Sequence, residues 1–76
     1  MTAVEAATNA VHEATAALNA AMTARATIGA ELHPQATAYV VERYEAALEV
    51  EAKARFTLRD AINWQRDEQM RNAGLR

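Results

Sequence analysis

The chain has 76 residues, of which 51% are hydrophobic, with 8 basic against 10 acidic side chains and no cysteine. This length bounds it to one small domain, and the missing cysteines exclude disulfides and thiolate metal sites. Twenty alanines stand against five leucines, two isoleucines and one phenylalanine, so the apolar fraction is high while the apolar volume is low. A domain of this size rarely makes a self-sufficient core without staples or oligomerisation.

The first element carries the strongest pattern. Val4, Val11, Leu18, Arg25 and Leu32 fall seven apart, and Ala7, Ala14, Ala21 and Ile28 each follow by three. That is the a/d spacing of a coiled-coil helix with alanine at most d positions, which demands a close partner helix. Thr2 and Glu5 fit a capping box, which predicts a helix over about residues 3–28. Ala3, Ala10, Ala17 and Ala24 form a second ladder, and a helix with small residues on several faces is usually packed on several sides.

Gly29 reads as a helix-ending C′ residue, and a turn over about 29–33 follows. Pro34 suits the first position of a second helix, predicted over about 34–72. Its core stripe reads Val40/Val41, Tyr44, Ala47/Leu48, Glu51, Ala54/Arg55, Leu58, Ala61/Ile62 and Gln65. Of these, Val41, Tyr44, Leu48, Leu58 and Ile62 are assigned to helix packing. Glu49–Lys53, Glu51–Arg55 and Asp67–Arg71 are i,i+4 pairs in the favourable order. Gly74 at C′ would bring Leu75 onto Met70 in a Schellman motif, and Arg66, Arg71 and Arg76 complement the helix dipole.

The expected fold is therefore all-α: one antiparallel two-helix hairpin with alanine-rich, coiled-coil-like packing, completed by oligomerisation or within a larger assembly. Closing the hairpin near His33 pairs Leu18 with Leu48, Ala21 with Glu45 or Tyr44, Val11 with Arg55 and Val4 with Ile62. Arg25 then lies near Val41, Glu42 and Glu45 as a snorkelling partner of the glutamates, the alternative being a buried charge that sets the register. Helix 2 outruns helix 1 by about ten residues, leaving an overhang over roughly 64–76. Trp64, Arg66, Met70 and Arg71 of that overhang, with Phe56 and Arg59, form the expected partner-binding set, because tryptophan and arginine dominate interface anchors. The alternative is that Trp64 caps the open end near Met1.

The charge is polarised. Residues 1–52 hold two arginines against seven glutamates, a balance of −5, and residues 53–76 hold one lysine and five arginines against three acids, a balance of +3. Complementary solvated ends account for this, as would head-to-tail association or an acidic partner docking at the basic end.

Catalytic and cofactor chemistry finds no foothold. Serine is absent, and no nucleophile–base pair is visible. A di-iron bundle needs Glu-x-x-His pairs, but Asn9 and Ala30 precede His12 and His33 by three. That departure separates the chain from the two-helix encapsulated ferritins, to which it is similar only in size. Glu42, Glu45 and Glu49 share a face and read as solvated acids. Arg55, Arg59, Trp64, Arg66 and Arg71 are interrupted by Asp60, Asp67 and Glu68, which argues against nucleic-acid binding. No apolar run spans a membrane, and residues 14–24 lack the basic lead-in of a signal peptide.

A non-enzymatic structural or interaction protein is expected, without cofactor, metal or small-molecule substrate. Its partner would be protein: further copies or a multiprotein assembly. Arginine outnumbers lysine seven to one beside the heavy alanine use, codon usage that points to a GC-rich genome such as an actinobacterium or its phages. A subunit of a larger assembly, a phage virion among them, is the first reading, in the cytoplasm or in a virion. A small regulator gripping one host protein through the overhang is the second.

Overall fold

The computed structural model describes residues 2–34 and 36–74. Two helices, α1 (Ala3–Gly29) and α2 (Ala38–Asn72), pack against each other along their length, and no strand occurs among the described residues. The hairpin measures 59 × 19 × 13 Å, with a radius of gyration of 17.2 Å. A compact domain of this length has a radius near 11 Å. Its accessible surface of 5506 Å² likewise exceeds the roughly 4,600 Å² expected for a globular monomer of this mass. The molecule is a rod with surface to spare.

Both helices start on a threonine. Thr2 is the N-cap of α1, its Oγ1 accepting from the Glu5 backbone N–H at 3.1 Å. Thr37 does the same for α2, accepting from the Val40 N–H at 3.3 Å. Such a bond satisfies one of the donors that a helix start leaves orphaned. The second helix thus begins four residues later than the Pro34 signal predicts. Proline instead occupies a turn closed by Ala36 N–H donating to the His33 carbonyl at 2.8 Å, in the place where its fixed φ suits a β-turn.

The end of α1 also departs from expectation. Gly29 is its last helical residue rather than C′, and Ala30 caps the helix in right-handed backbone. The reason for glycine here is room: a Cβ would lie 3.1 Å from Cε1 of Tyr44. Gly74, by contrast, adopts φ 78° after the Ala73 cap, the left-handed position that favours glycine. The Leu75 and Arg76 contacts expected there, and the Met1 contact of Trp64, fall outside the described residues.

The register differs from the predicted one by about one heptad. Arg25 meets Glu51, Glu31 meets Arg43, Thr8 meets Gln65, and Gly29 meets Tyr44. The connection occupies residues 30–37 rather than five residues, which moves α2 along α1. Two expectations fall with this. Arg25 does not pair with Glu42 or Glu45. Nor does α2 overhang the start of α1 among the described residues, because Thr2, Ala3 and Val4 line one cleft with Glu68, Arg71 and Asn72. The surplus length of α2 lies at the other end, beside the connection.

The seam is made of alanine. Among the described residues, Ala7, Ala14 and Ala21 of α1 and Ala47 and Ala61 of α2 are the buried hydrophobic ones, and no larger side chain is fully buried. Val4, Val11, Leu18, Ile28, Tyr44 and Leu58 flank them half-buried. Val41, Leu48 and Ile62, assigned to packing from the sequence, are instead 39%, 41% and 47% exposed. Their neighbours Val40, Ala47 and Ala61 face the seam. Helices that meet through alanine come too close for a leucine or isoleucine between them, so Leu48 and Ile62 are turned outward, and of the two equal valines Val40 takes the inner position.

Candidate interaction surfaces

The polar feature of the seam is a charge cluster. Arg25 Nε donates to Glu51 Oε1 at 2.6 Å, and Arg55 reaches Glu51 Oε2 at 3.3 Å from one turn along α2. The Glu51 side chain is only 12% exposed. The Arg25 hydrogen bond holds the Glu51 carboxyl below its ordinary range, against the opposing effect of burial. Reciprocally, the hydrogen bond to Glu51 raises the Arg25 pKa above its ordinary value. Both Arg25 and Glu51 occupy positions that a coiled coil reserves for apolar residues. In a seam of alanines they are the charged groups that help to distinguish one heptad register from the next.

The flanks of the seam are apolar and open. On one side Leu18, Leu58 and Ile62 line a groove of about 260 Å³, bordered by Arg55, Arg59 and Asn63. On the other, Ala21, Ala24, Ile28, Ala46 and Val50 line one of about 300 Å³. The threonines offer little to a partner: Thr15, Thr27 and Thr57 donate their hydroxyls to the carbonyls of Val11, Thr23 and Lys53 four residues back.

The six residues expected to bind a partner are all exposed; Phe56, Arg59, Arg66 and Met70 share one face of α2, and Trp64 and Arg71 lie on another. Trp64 is 43% exposed, and its neighbour Gln65 donates to Thr8 Oγ1 at 3.1 Å, which sets this part of α2 beside the second turn of α1. Phe56 is 57% exposed with the Arg59 guanidinium 4.9 Å from its ring centroid. Met70 is 45% exposed, Arg66 is exposed, and Arg71 is paired to Glu68 rather than to Asp67. Tyr39, also exposed, carries Arg43 at 5.7 Å from its ring.

Among the described residues no group of three His, Asp or Glu side chains is arranged to hold a metal ion, and no helix is long and apolar enough to cross a membrane. No family model, curated protein or solved structure matches the chain.

Proposed function

We propose that this chain is a non-enzymatic helical hairpin that acts as a structural or interaction subunit, finishing its own fold by packing within a protein assembly. One observation carries the reading. The buried hydrophobic residues are all alanines, while Met22, Tyr39, Val41, Leu48, Val50, Phe56, Ile62, Trp64 and Met70 are all more than a third exposed. Burial stabilises by roughly 25 cal/mol per Å² of apolar area, and the area lies in the large side chains. Association is what would bury them. A phage virion is one such assembly, and the arginine and alanine bias fits a GC-rich genome of the kind some phages carry.

The test is a thermal melt of the isolated chain followed by circular dichroism. The midpoint is expected to rise with protein concentration, because unfolding is then coupled to dissociation. A cooperative, concentration-independent melt well above room temperature would contradict the proposal. In the native particle the subunit is expected at fixed, symmetric copy number. One copy bound to one host protein would indicate a regulator instead.

A further inference from the structure

The outward face of α2 has an order that the seam does not explain. Positions 38, 42, 45, 49, 52, 56, 59, 63, 66 and 70 alternate steps of four and three, so they form one stripe nearly opposite the seam, about 150° around the helix. All ten residues are exposed. In order they read Ala38, Glu42, Glu45, Glu49, Ala52, Phe56, Arg59, Asn63, Arg66 and Met70. The first half carries three acids and no base, the second half two bases and no acid, and the middle is an alanine next to a phenylalanine. Asp60 and Asp67, which interrupt the basic half in the linear sequence, lie to one side. Arg55 is already engaged by Glu51.

A stripe that changes sign about its own centre is complementary to itself turned end over end. We propose that it is a homodimer interface: α2 of one copy lies antiparallel on α2 of a second, related by a twofold axis midway between Ala52 and Phe56. In that register Glu42 meets Arg66 of the other copy, Glu49 meets Arg59, and Glu45 meets Asn63. Phe56 packs against Ala52 and Met70 against Ala38, large against small at the centre and at both ends. Each contact occurs twice, as an isologous interface requires. The parallel arrangement is disfavoured, because it sets glutamate on glutamate and arginine on arginine along the whole stripe. The exposed Phe56, with Arg59 over its ring and Ala52 and Arg55 beside it, supplies the central aromatic anchor. The pairing would span about 48 Å. The proposal rests on the assembly reading and names its first partner as a second copy of this chain.

Charge exchange tests it. An all-acidic stripe is made by Arg59→Glu with Arg66→Glu, and one with arginine at all four paired positions, keeping only Glu45 opposite Asn63, by Glu42→Arg with Glu49→Arg. In sedimentation equilibrium the unaltered chain is expected to dimerise, and each variant alone to dimerise at least about tenfold more weakly. An equimolar mixture of the two is expected to restore a 1:1 complex. The positions are exposed, and helix content by circular dichroism checks each fold. The cysteine-free background allows a second measurement. Mixed Glu49→Cys and Arg59→Cys chains should form a disulfide-linked heterodimer under mild oxidation, with little linkage in either chain alone. Undiminished dimerisation of both charge variants, no complex on mixing, or no preference for the mixed disulfide would overturn the stripe. If a concentration-dependent melt persisted in both charge variants, another surface would complete the fold and the assembly reading would stand without this interface. A stable fold below the dissociation constant, with dimerisation still governed by the stripe charges, would remove the assembly reading and leave the interface.

Discussion

Leucine at Ala14 is expected to destabilise the hairpin by about 1–3 kcal/mol through overpacking. Ala14 is 5% exposed, on the face where α1 meets α2, with Ala7 and Ala21 one heptad to either side. A leucine there either leaves its rotamer or drives the helices apart, and driving them apart loosens every alanine contact at once. The same substitution at Ala16, which is exposed two residues on, is expected to fall within about 0.5 kcal/mol of neutral. A small domain of this kind commands only about 3–5 kcal/mol in all. Leucine at Ala7 and Ala14 together should therefore abolish cooperative unfolding at room temperature. Denaturant titrations of the three variants check this, and equal tolerance at Ala14 and Ala16 would mean that the seam is not closely packed.

The second large effect concerns Arg25 and Glu51. Arg25→Leu leaves the mostly buried Glu51 with Arg55 alone, Glu51→Leu leaves Arg25 without its carboxylate, and each is expected to lower the melting temperature. The double variant is expected to recover most of that loss, since an apolar pair often replaces a salt bridge at no cost. What the double variant should lose is a single register, because a one-heptad slip no longer moves a charge onto Leu58 or Leu18. Distances between spin labels on α1 and α2 would then broaden or split. Acid gives a second readout. Glu51 has its folded pKa below the unfolded value, so its contribution is present above the unfolded pKa, about 4.3, and is lost as pH falls through the folded one. The unaltered chain should therefore lose more stability between neutral pH and strong acid than the double variant. A double variant as acid-sensitive as the parent, with unsplit distances, would reduce the pair to a surface ornament.

The residues also explain which parts of the fold were legible in the sequence. The α1 ladder from Val4 to Ile28 was readable because a heptad repeat survives without knowledge of the partner, and Thr2 marked its start. Three features were not. Pro34 competed with Thr37 as the start of α2, and the threonine cap won because proline found a turn to occupy. The choice within Val40/Val41, Ala47/Leu48 and Ala61/Ile62 went to the smaller or inner residue in each case. Bulk normally predicts burial, but a seam already committed to alanine reverses that preference. The register was illegible for a deeper reason. Sliding α2 by seven residues maps its a and d positions onto themselves, so periodicity cannot distinguish the two alignments. Only the non-repeating members, Arg25 against Glu51, Gly29 against Tyr44 and Thr8 against Gln65, separate them. The overhang that gathered Trp64, Arg66, Met70 and Arg71 into one site was a consequence of the slipped register and disappears with it.

The central claim is that two helices joined by an alanine seam hold their structure in company and not alone. Amide hydrogen exchange of the isolated chain, read over a hundredfold dilution, tests it most directly. Protection across α1 and α2 is expected to fall together as the chain is diluted, with the seam residues Ala14, Ala21, Ala47 and Ala61 losing theirs no later than their exposed neighbours. Protection that stays high and unchanged at the lowest concentration would show that the alanine seam suffices by itself, and would contradict the account.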